Sequence, residues 1–527
     1  MTAKMLLGVG GTGAKVVEAI LHCCGAGLGP ATLQVGFIDQ DKSNGNVSRA
    51  NQTLTAYMEA RQNWRGDGAH HIEGSDLLLT EVSTFKRSLW TPHPDDNSSL
   101  ESALGDLGGD GKLFDLLFTQ EEQRLKLDIG YQARAHVGSA AMTAAIRKES
   151  DPFWVDIVNK LVAAGGGDGV DLLLVGSAFG GTGAAGFPTV ARLLRRELDK
   201  KGIKKGARIS GVLMLPYFGF TPPKRGETVA RADELLPQTK AALRYYHDLF
   251  EREHVFDDAY LVGWNSKFEL GYHNPGKGGQ INPALLPELI AAVGACGFFA
   301  GEPPKQPPKE RVATRVLVSA RKEEHRFGWG DLPPVRDEKP NEVYAQLGRQ
   351  IRFAAAWKHW QPILNRDAGV FSGSYRKRAW FKGYGLDGLD TTDAAFAGAM
   401  ASMDRYVDQF AEWALTIQLL SRQSGGSAEM AFDLWDMNGF LSQPSFRKDE
   451  NSPLTVPVAR TLSEAAYASA FDRAVGSRAG DTPLTTAADL MRALNARPRS
   501  SRNSGLGGIV EAMHSNSAVA AGLDGGN

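Results

Sequence analysis

The stretch that decides the fold is DLLLVGSAFGGTGAAG, residues 171–186, in which an apolar run leads directly into a glycine-rich loop. The run Val170–Val175 is almost continuously apolar, which is typical of a parallel strand that is buried on both faces. The glycine loop Gly180–Gly186 follows, and helical periodicity after Phe187 predicts a helix that ends near Gly202. A glycine loop at a helix N-terminus lets the backbone approach phosphate oxygens. The candidate phosphate contacts in this loop are Gly180, Gly181, Thr182 and Gly183.

A second loop of the same kind lies near the start of the chain. Lys4–Val9 is predicted to be a strand and Ala14–Cys23 a helix, and the segment between them is rich in glycine. One such loop is enough for a dinucleotide-binding fold, whereas two, about 170 residues apart, predict that one polyphosphate is held from several strand ends. The candidate contacts here are Gly10, Gly11, Thr12 and Gly13.

Taken alone, the first loop leaves a second interpretation open. It fits the pattern G-x-G-x-x-G, and Asp39 ends the next predicted strand, Leu33–Ile38, where an acid holds the ribose in NAD- or FAD-binding folds. It does not fit the P-loop pattern, because Lys15 lies one residue too late. No His/Lys/Tyr constellation supports hydride chemistry, so an NAD(P)- or FAD-dependent oxidoreductase stays the weaker alternative.

Strands and helices alternate over the first 300 residues, which predicts an α/β domain with a mostly parallel, Rossmann-like sheet and helices on both faces. Further strands are predicted at Arg208–Leu215 and Ala259–Val262, and helices at Glu227–Phe250 and Pro283–Phe298. The Gly-, Asn- and Pro-rich stretch Ser43–Gln123 is expected to form loops and short helices.

Beyond residue 300 the pattern changes. Residues 302–309 are rich in proline and predict a linker. A helix-rich second domain is expected over residues 301–445, with a strand at Arg311–Ala320 and helices at Asn341–Leu364 and Asp404–Leu420. Residues 446–527 are expected to form a C-terminal extension. Its last 25 or so residues are small and polar, which predicts disorder.

The composition places only general limits on partners and cellular compartment. The 527 residues carry 59 Lys+Arg against 60 Asp+Glu, for a net charge of -1. Global charge therefore gives no argument for nucleic acid or an anionic membrane as partner. The three cysteines, Cys23, Cys24 and Cys296, lack metal-ligand spacing, which favours a reducing, cytoplasmic compartment. Neither a signal peptide nor an apolar run of about 18 residues is evident.

These segments resemble, in the same order, those of the tubulin/FtsZ superfamily, and most of all its diverged bacterial tubulin-like members. Residues 179–185 (FGGTGAA) are similar to the signature G-G-G-T-G-[ST]-G of that superfamily. Gly180, Gly181, Thr182 and Gly183 match it, whereas Phe179, Ala184 and Ala185 depart from it.

Four other segments carry the same resemblance. Phe37–Asp41 resembles the acidic strand end that approaches magnesium, and residues 130–141 (GYQARAHVGSAA) are similar to a glycine/alanine phosphate loop, which implies contacts from Ala133 and Gly138. Leu261–Asn265 resembles the strand end whose asparagine reads guanine, and an amide offers both donors and an acceptor for that edge. The helix after Asn282 resembles the central helix between the two domains.

The resemblance implies a protein that binds GTP or GDP with Mg²⁺. Asp39 and Asp41 would hold the ion, directly or through water, because carboxylate oxygens suit this cation. It also implies a GTPase that assembles head to tail with copies of itself, in which the catalytic acid comes from a neighbouring copy. Asp331 and Asp337 are the candidate acids. The alternative is a GTP-binding switch or scaffold that does not hydrolyse GTP, for instance in a bacterial defence or stress system.

Overall fold

The computed structural model describes residues 2–66, 70–105, 111–131, 134–147, 151–203, 206–221, 232–264, 268–272, 281–301, 313–318, 329–336, 342–365, 382–385, 393–423, 446–448, 455–457 and 505–517. Within these ranges, no helix is both long enough and apolar enough to cross a membrane.

The strands, in chain order, are β1 (Ala3–Val9), β2 (Thr32–Ile38), β3 (Glu81–Trp90), β4 (Val170–Ser177), β5 (Ala207–Met214), β6 (Phe218–Thr221), β7 (Asp258–Gly263), β8 (Phe268–Tyr272), β9 (Ala313–Val318), β10 (Phe446–Lys448) and β11 (Thr455–Pro457). Seven of them form one sheet in the order β3-β2-β1-β4-β5-β7-β9. Every neighbouring pair in this sheet is parallel. Two small sheets pair β6 with β8 and β10 with β11.

The helices are α1 (Gly10–Gly25), α2 (Gly45–Arg65), α3 (Leu100–Leu104), α4 (Gly111–Leu117), α5 (Gln120–Gln123), α6 (Ala135–Arg147), α7 (Pro152–Gly165), α8 (Gly181–Lys200), α9 (Ala232–Arg252), α10 (Leu286–Ala300), α11 (Glu342–Asn365), α12 (Ala394–Gln423) and α13 (Gly505–Asn516). Short 3₁₀ turns lie at Leu127–Ile129 and Trp329–Asp331.

The helices cover both faces of the sheet, as the sequence predicts. Ile20 of α1, Leu289 of α10 and Phe410 of α12 belong to one hydrophobic core. Val137 of α6 and Leu194 of α8 belong to a second core on the other face. Strand β4 lies between the two cores and is buried along its whole length, which explains its unbroken apolar sequence. The prediction of an α/β fold with a parallel, Rossmann-like sheet is confirmed.

The expectation of loops and short helices over Ser43–Gln123 is wrong for two long elements. Helix α2 occupies 21 residues and strand β3 occupies 10. Helix α2 is polar on average, but its buried positions, which include Leu54, Tyr57 and Trp64, follow helical spacing. Strand β3 is an edge strand, and only Val82, Phe85 and Trp90 of its ten residues are buried. Both elements therefore lack the continuous apolar signal of the central strands.

The sheet and one core continue past residue 300, where sequence analysis placed a domain boundary. Strand β9 pairs with β7 as the seventh strand. Helix α12 packs on α2, where the Trp64 indole donates to the Ala399 carbonyl at 3.0 Å and Arg405 pairs with Glu59 at 2.6 Å. The described part of residues 301–445 is helix-rich, and it shares its core with the first domain.

The expected disorder of the last 25 or so residues is wrong for helix α13. Its apolar residues Leu506, Ile509 and Met513 are buried. A Cβ atom on Gly507 would overlap the backbone of His71, so glycine lets this helix approach residues 70–71 closely. Small residues that resemble a disordered tail in sequence instead serve close packing.

Candidate functional site

The two glycine loops meet at the carboxyl edge of the sheet, between β1 and β4. This is the place where the strand order reverses, and ligands of open α/β sheets bind in the crevice at such a point. Gly10 has a φ of +75°, and a Cβ atom on it would lie 2.9 Å from the backbone nitrogen of Gly183. The loops that begin α1 and α8 are therefore in direct backbone contact.

Both helices begin without a capping side chain. Val9, before α1, and Gly180, before α8, have no side-chain acceptor, and neither first turn contains an acidic residue. Other helices of the chain are capped, as α2 is by Asn44 and α7 by Asp151. The first backbone N–H groups of α1 and α8 therefore lack a side-chain cap, and both positive dipole ends face one crevice. Such an arrangement favours an anion with several oxygens.

Several glycines are explained by packing as well. A Cβ atom on Gly13 would overlap the Val175 carbonyl of β4, and one on Gly183 would lie 2.7 Å from the Ser177 hydroxyl. A Cβ atom on Gly138 would lie 2.6 Å from that of Ala185, where α6 packs on α8. These contacts bring the helix ends close to the sheet. For Gly138 they give a packing role, and contact with a ligand stays a prediction.

Asp39 lies at the floor of the crevice, directly after β2. Its Oδ1 accepts from the Thr182 hydroxyl at 3.0 Å and from the Asp41 amide at 3.1 Å. Its Oδ2 is buried and has no hydrogen-bond partner among the described residues. Burial is the main reason that the pKa of this carboxyl is raised to about 7. Asp39 thus joins the end of β2 to the first turn of α8 and keeps one oxygen for a further partner.

Asp41 and the loop at Gly130 border the same point. Asp41 is buried, and its Oδ1 accepts from the Ser43 amide at 3.1 Å and the Ser43 hydroxyl at 3.0 Å. A Cβ atom on Gly130, whose φ is +79°, would lie 3.9 Å from the Asp41 Cβ. The described residues contain no cluster of three or more His, Cys, Asp or Glu that suits a metal ion. Two hard carboxylates still fit Mg²⁺, which commonly takes one or two carboxylates and completes its shell with phosphate and water.

A buried ion pair that sequence reasoning missed has its lysine in α1, shortly after the glycine loop. Lys15 of α1 pairs with Glu288 of α10, and both side chains are at most 1% exposed. The Tyr217 hydroxyl donates to Glu288 Oε1 at 2.6 Å, and the Leu285 amide donates to Oε2 at 3.0 Å. Burial lowers the pKa of Lys15 despite this partner. The pair joins α1 to the start of α10 beside the glycine loop.

The predicted residues fall into three groups. The structure brings together Gly10, Gly11, Thr12, Gly13, Asp39, Asp41, Gly180, Gly181, Thr182 and Gly183 at one edge of the sheet. Ala133, Asn265 and Asp337 lie outside the described residues. Gly138 and Asp331 are described and lie apart from these, Gly138 where α6 packs on α8.

Asp331 is exposed, and the contacts of its segment put it near the opposite end of the sheet from the crevice. It belongs to the segment that reaches α10 at Gly297, where a Cβ atom would lie 2.8 Å from the Pro334 carbonyl oxygen. That half of α10 also contacts the start of β5, because Arg208 donates to the Phe298 carbonyl at 3.1 Å. Glu288, at the crevice, is nine residues from Gly297, or about 14 Å along the helix. Asp331 is therefore remote from the crevice of its own chain.

The residues that sequence reasoning missed lie on elements that it misplaced or did not connect. Asn44 and Asn46 begin α2, which was expected to be loop, and each has a side-chain amide atom 3.2 Å from the position of a Cβ on Gly11. The motif S-N-G-N over residues 43–46 is a helix-start signal that would have found them. The contact between Lys15 and Glu288 joins residues far apart in sequence, and no local pattern predicts it.

Comparison with known proteins found no family model and no curated protein that matches this chain. The geometry of the crevice is therefore the basis for assigning a function. Its main features are two adjoining helix N-termini without side-chain caps, and a buried carboxylate with one open oxygen.

Proposed function

We propose that this chain binds a guanine nucleotide with Mg²⁺ in the crevice between β1 and β4, as a tubulin-like GTP-binding protein. The observation that carries the proposal is the backbone contact between Gly10 and Gly183, which joins two uncapped helix N-termini at a single point. One polyphosphate can accept from both sets of N–H groups. A single sugar phosphate would need only one of them.

The surrounding residues fit the parts of such a ligand. The amides of the first turns of α1 and α8, with the Thr182 hydroxyl, would hold phosphate oxygens. Asp39 would hold Mg²⁺ through its open Oδ2, and Asp41 would do so directly or through water. The cation would neutralise charge between the phosphates and these carboxylates. Guanine recognition by Asn265 rests on the resemblance to the tubulin/FtsZ superfamily.

Hydrolysis and assembly form the second part of the proposal. A water molecule that attacks the terminal phosphate needs a group to orient it. Asp331 is exposed and remote from the crevice of its own chain. In a head-to-tail pair, the end of one copy that carries Asp331 would close the crevice of the next. Turnover would then depend on contact between copies, and an isolated copy would act as a GTP-binding switch.

A dinucleotide is the second candidate, and one observation favours it. The order β3-β2-β1-β4-β5-β7 is the order of dinucleotide-binding sheets, in which the acid after β2 binds the ribose. Here, however, the Asp39 Oδ1 accepts from Thr182 in the first turn of α8. That bond directs the carboxylate towards the phosphate-binding helix ends and makes it a weaker ribose ligand.

Calorimetry with GTP, GDP, ATP and NAD, each with and without Mg²⁺, tests the proposal. We expect the tightest binding for GTP or GDP, and weaker binding of both when Mg²⁺ is removed. Tighter binding of NAD than of GTP would replace the proposal by the dinucleotide reading. Sedimentation with GTP tests assembly separately, and a chain that binds GTP but stays monomeric at high concentration would be a switch without filaments.

A further inference from the structure

The side chain of Asn46, in the first turn of α2, is held in one orientation. Its Oδ1 accepts from the backbone N–H of Asn282 at 2.7 Å, and the Asn282 carbonyl accepts from Arg49 at 2.6 Å. Arg49 is itself fixed by a two-pronged pair with Glu18 of α1, at 2.7–3.0 Å. The acceptor half of the Asn46 amide is thus bonded within a network that joins α1, α2 and the segment that leads into α10.

The donor half of the same amide faces the glycine loop. The Asn46 Nδ2 lies 3.2 Å from the position that a Cβ on Gly11 would take. Among the described residues it has no hydrogen-bond partner, although the side chain is 2% exposed. An amide donor that is held in one orientation and faces the crevice is available to a ligand acceptor.

Because its oxygen is already bonded, the Asn46 side chain prefers a ligand group that accepts a hydrogen bond. A free asparagine can bind either a donor or an acceptor, but here the carbonyl oxygen already has a partner. The oxygen is held at the Asn282 N–H and the nitrogen faces Gly11, so the group that this side chain presents to the crevice is a donor. The six-position of guanine carries a carbonyl acceptor, whereas that of adenine carries an amino donor. A donor at this position favours the first and is poorly matched to the second.

We propose that Asn46 donates from Nδ2 to the six-carbonyl of a bound 6-oxopurine nucleotide and so selects guanine over adenine. The inference rests on the proposed nucleotide binding at the same crevice. It places the base on the α2 and α10 side of Gly11. The phosphates would lie on the other side, where Gly10 adjoins Gly183 and Thr182 binds Asp39.

The test is Asn46→Asp, which keeps an oxygen for the Asn282 N–H and replaces the donor by a charged acceptor. Calorimetry with GTP, ITP and ATP measures the effect. We expect GTP and ITP, which share the six-carbonyl, to bind at least about tenfold more weakly to the variant. ATP should lose little or gain, because its amino group can donate to the new carboxylate. Gln52→Glu, an exposed change of the same charge on the same helix, should leave all three affinities unchanged.

Each other outcome overturns the inference in a distinct way. An equal loss for GTP and ATP would place Asn46 at the phosphates. Unchanged affinities in a variant with normal thermal stability would remove it from the site. If Asn46→Asp does not fold, Asn46→Ser, which is smaller and uncharged, should also lower the ratio of GTP to ATP affinity, and an unchanged ratio would again exclude it. Failure of the wild-type chain to bind GTP would instead contradict the proposed function.

Discussion

Gly10 and Gly183 are in backbone contact across the crevice, and a Cβ atom on Gly10 would lie 2.9 Å from the Gly183 nitrogen. The residues are 173 positions apart, and each belongs to the first turn of a helix without a side-chain cap. An uncapped helix end lowers the stability of the fold, because it leaves backbone donors unpaired. Two such ends placed together would be stabilised by a bound anion.

Gly10→Ala should therefore impair both stability and binding. The φ of +75° strains any residue with a Cβ atom, and this Cβ would also press against the Gly183 nitrogen. We expect a loss of about 1–3 kcal/mol in the free energy of unfolding in urea, together with loss of GTP binding. Gly398→Ala is the matched control. Gly398 is exposed within α12 with nothing near its Cβ position, so alanine should stabilise the chain by about 0.5–1 kcal/mol. Equal effects at the two positions would contradict the packing described.

Asp39 predicts an unusual pH dependence of stability. Its pKa is raised from 3.8 to about 7 in the folded chain, so between these values the folded state holds a proton that the unfolded state has lost. The contribution of Asp39 is therefore fully present below about pH 4 and is lost as pH rises through 7, by roughly 4 kcal/mol at most. Asp39→Asn, which keeps an acceptor for Thr182, should gain stability relative to wild type as pH rises.

Urea unfolding of both chains from pH 4 to pH 8, without nucleotide or Mg²⁺, measures that difference. The variant and wild type should differ least near pH 4 and most near pH 8. Asp199→Asn, an exposed change on α8, should give a constant difference. Parallel curves for Asp39→Asn would show that the carboxyl is already charged in the folded state.

The buried pair of Lys15 and Glu288 should be strongly coupled. Lys15→Met leaves Glu288 buried without its counter-charge, and Glu288→Gln does the same to Lys15. Each single change should cost about 3–5 kcal/mol in the free energy of unfolding, whereas the double variant should cost clearly less than their sum. The exposed pair of Lys200 and Glu197 is the control, with an expected coupling of about 0–1 kcal/mol. Additive costs at Lys15 and Glu288 would mean that the two charges do not interact.

The fold could be predicted from sequence where burial on both faces leaves a continuous apolar run. Strand β4 is buried throughout, and its run predicted both the strand and the parallel sheet. The prediction was wrong for α2, whose single buried stripe is diluted by polar residues. It was also wrong for β3, an edge strand in which three of ten residues are buried. Helix α13 was missed for a related reason, since the glycine at position 507 provides close approach and no apolar signal.

Some residues of the candidate site are likewise predicted by local sequence motifs, and others are not. Local motifs predicted the glycine loops and Asp39, because a strand followed by glycine carries its chemistry within a few residues. The pairing of Thr182 with Asp39 and that of Lys15 with Glu288 join elements that only the sheet order brings together. Asn46 escapes prediction for both reasons: its helix lacks a continuous apolar signal, and its orientation is set by Asn282, 236 residues away.

The position of Asp331 predicts that hydrolysis needs two copies of the chain. Because Asp331 is exposed and remote from its own crevice, Asp331→Asn should bind GTP normally yet release phosphate slowly. Gly10→Ala should also be inactive, because it lacks the nucleotide. A mixture of the two provides an intact crevice on one copy and an intact Asp331 on the other, so phosphate release should recover on mixing. Glu101→Gln, an exposed change, should leave the rate unchanged. A normal rate for Asp331→Asn would remove this residue from catalysis, and an inactive mixture would show that the acid does not act across copies.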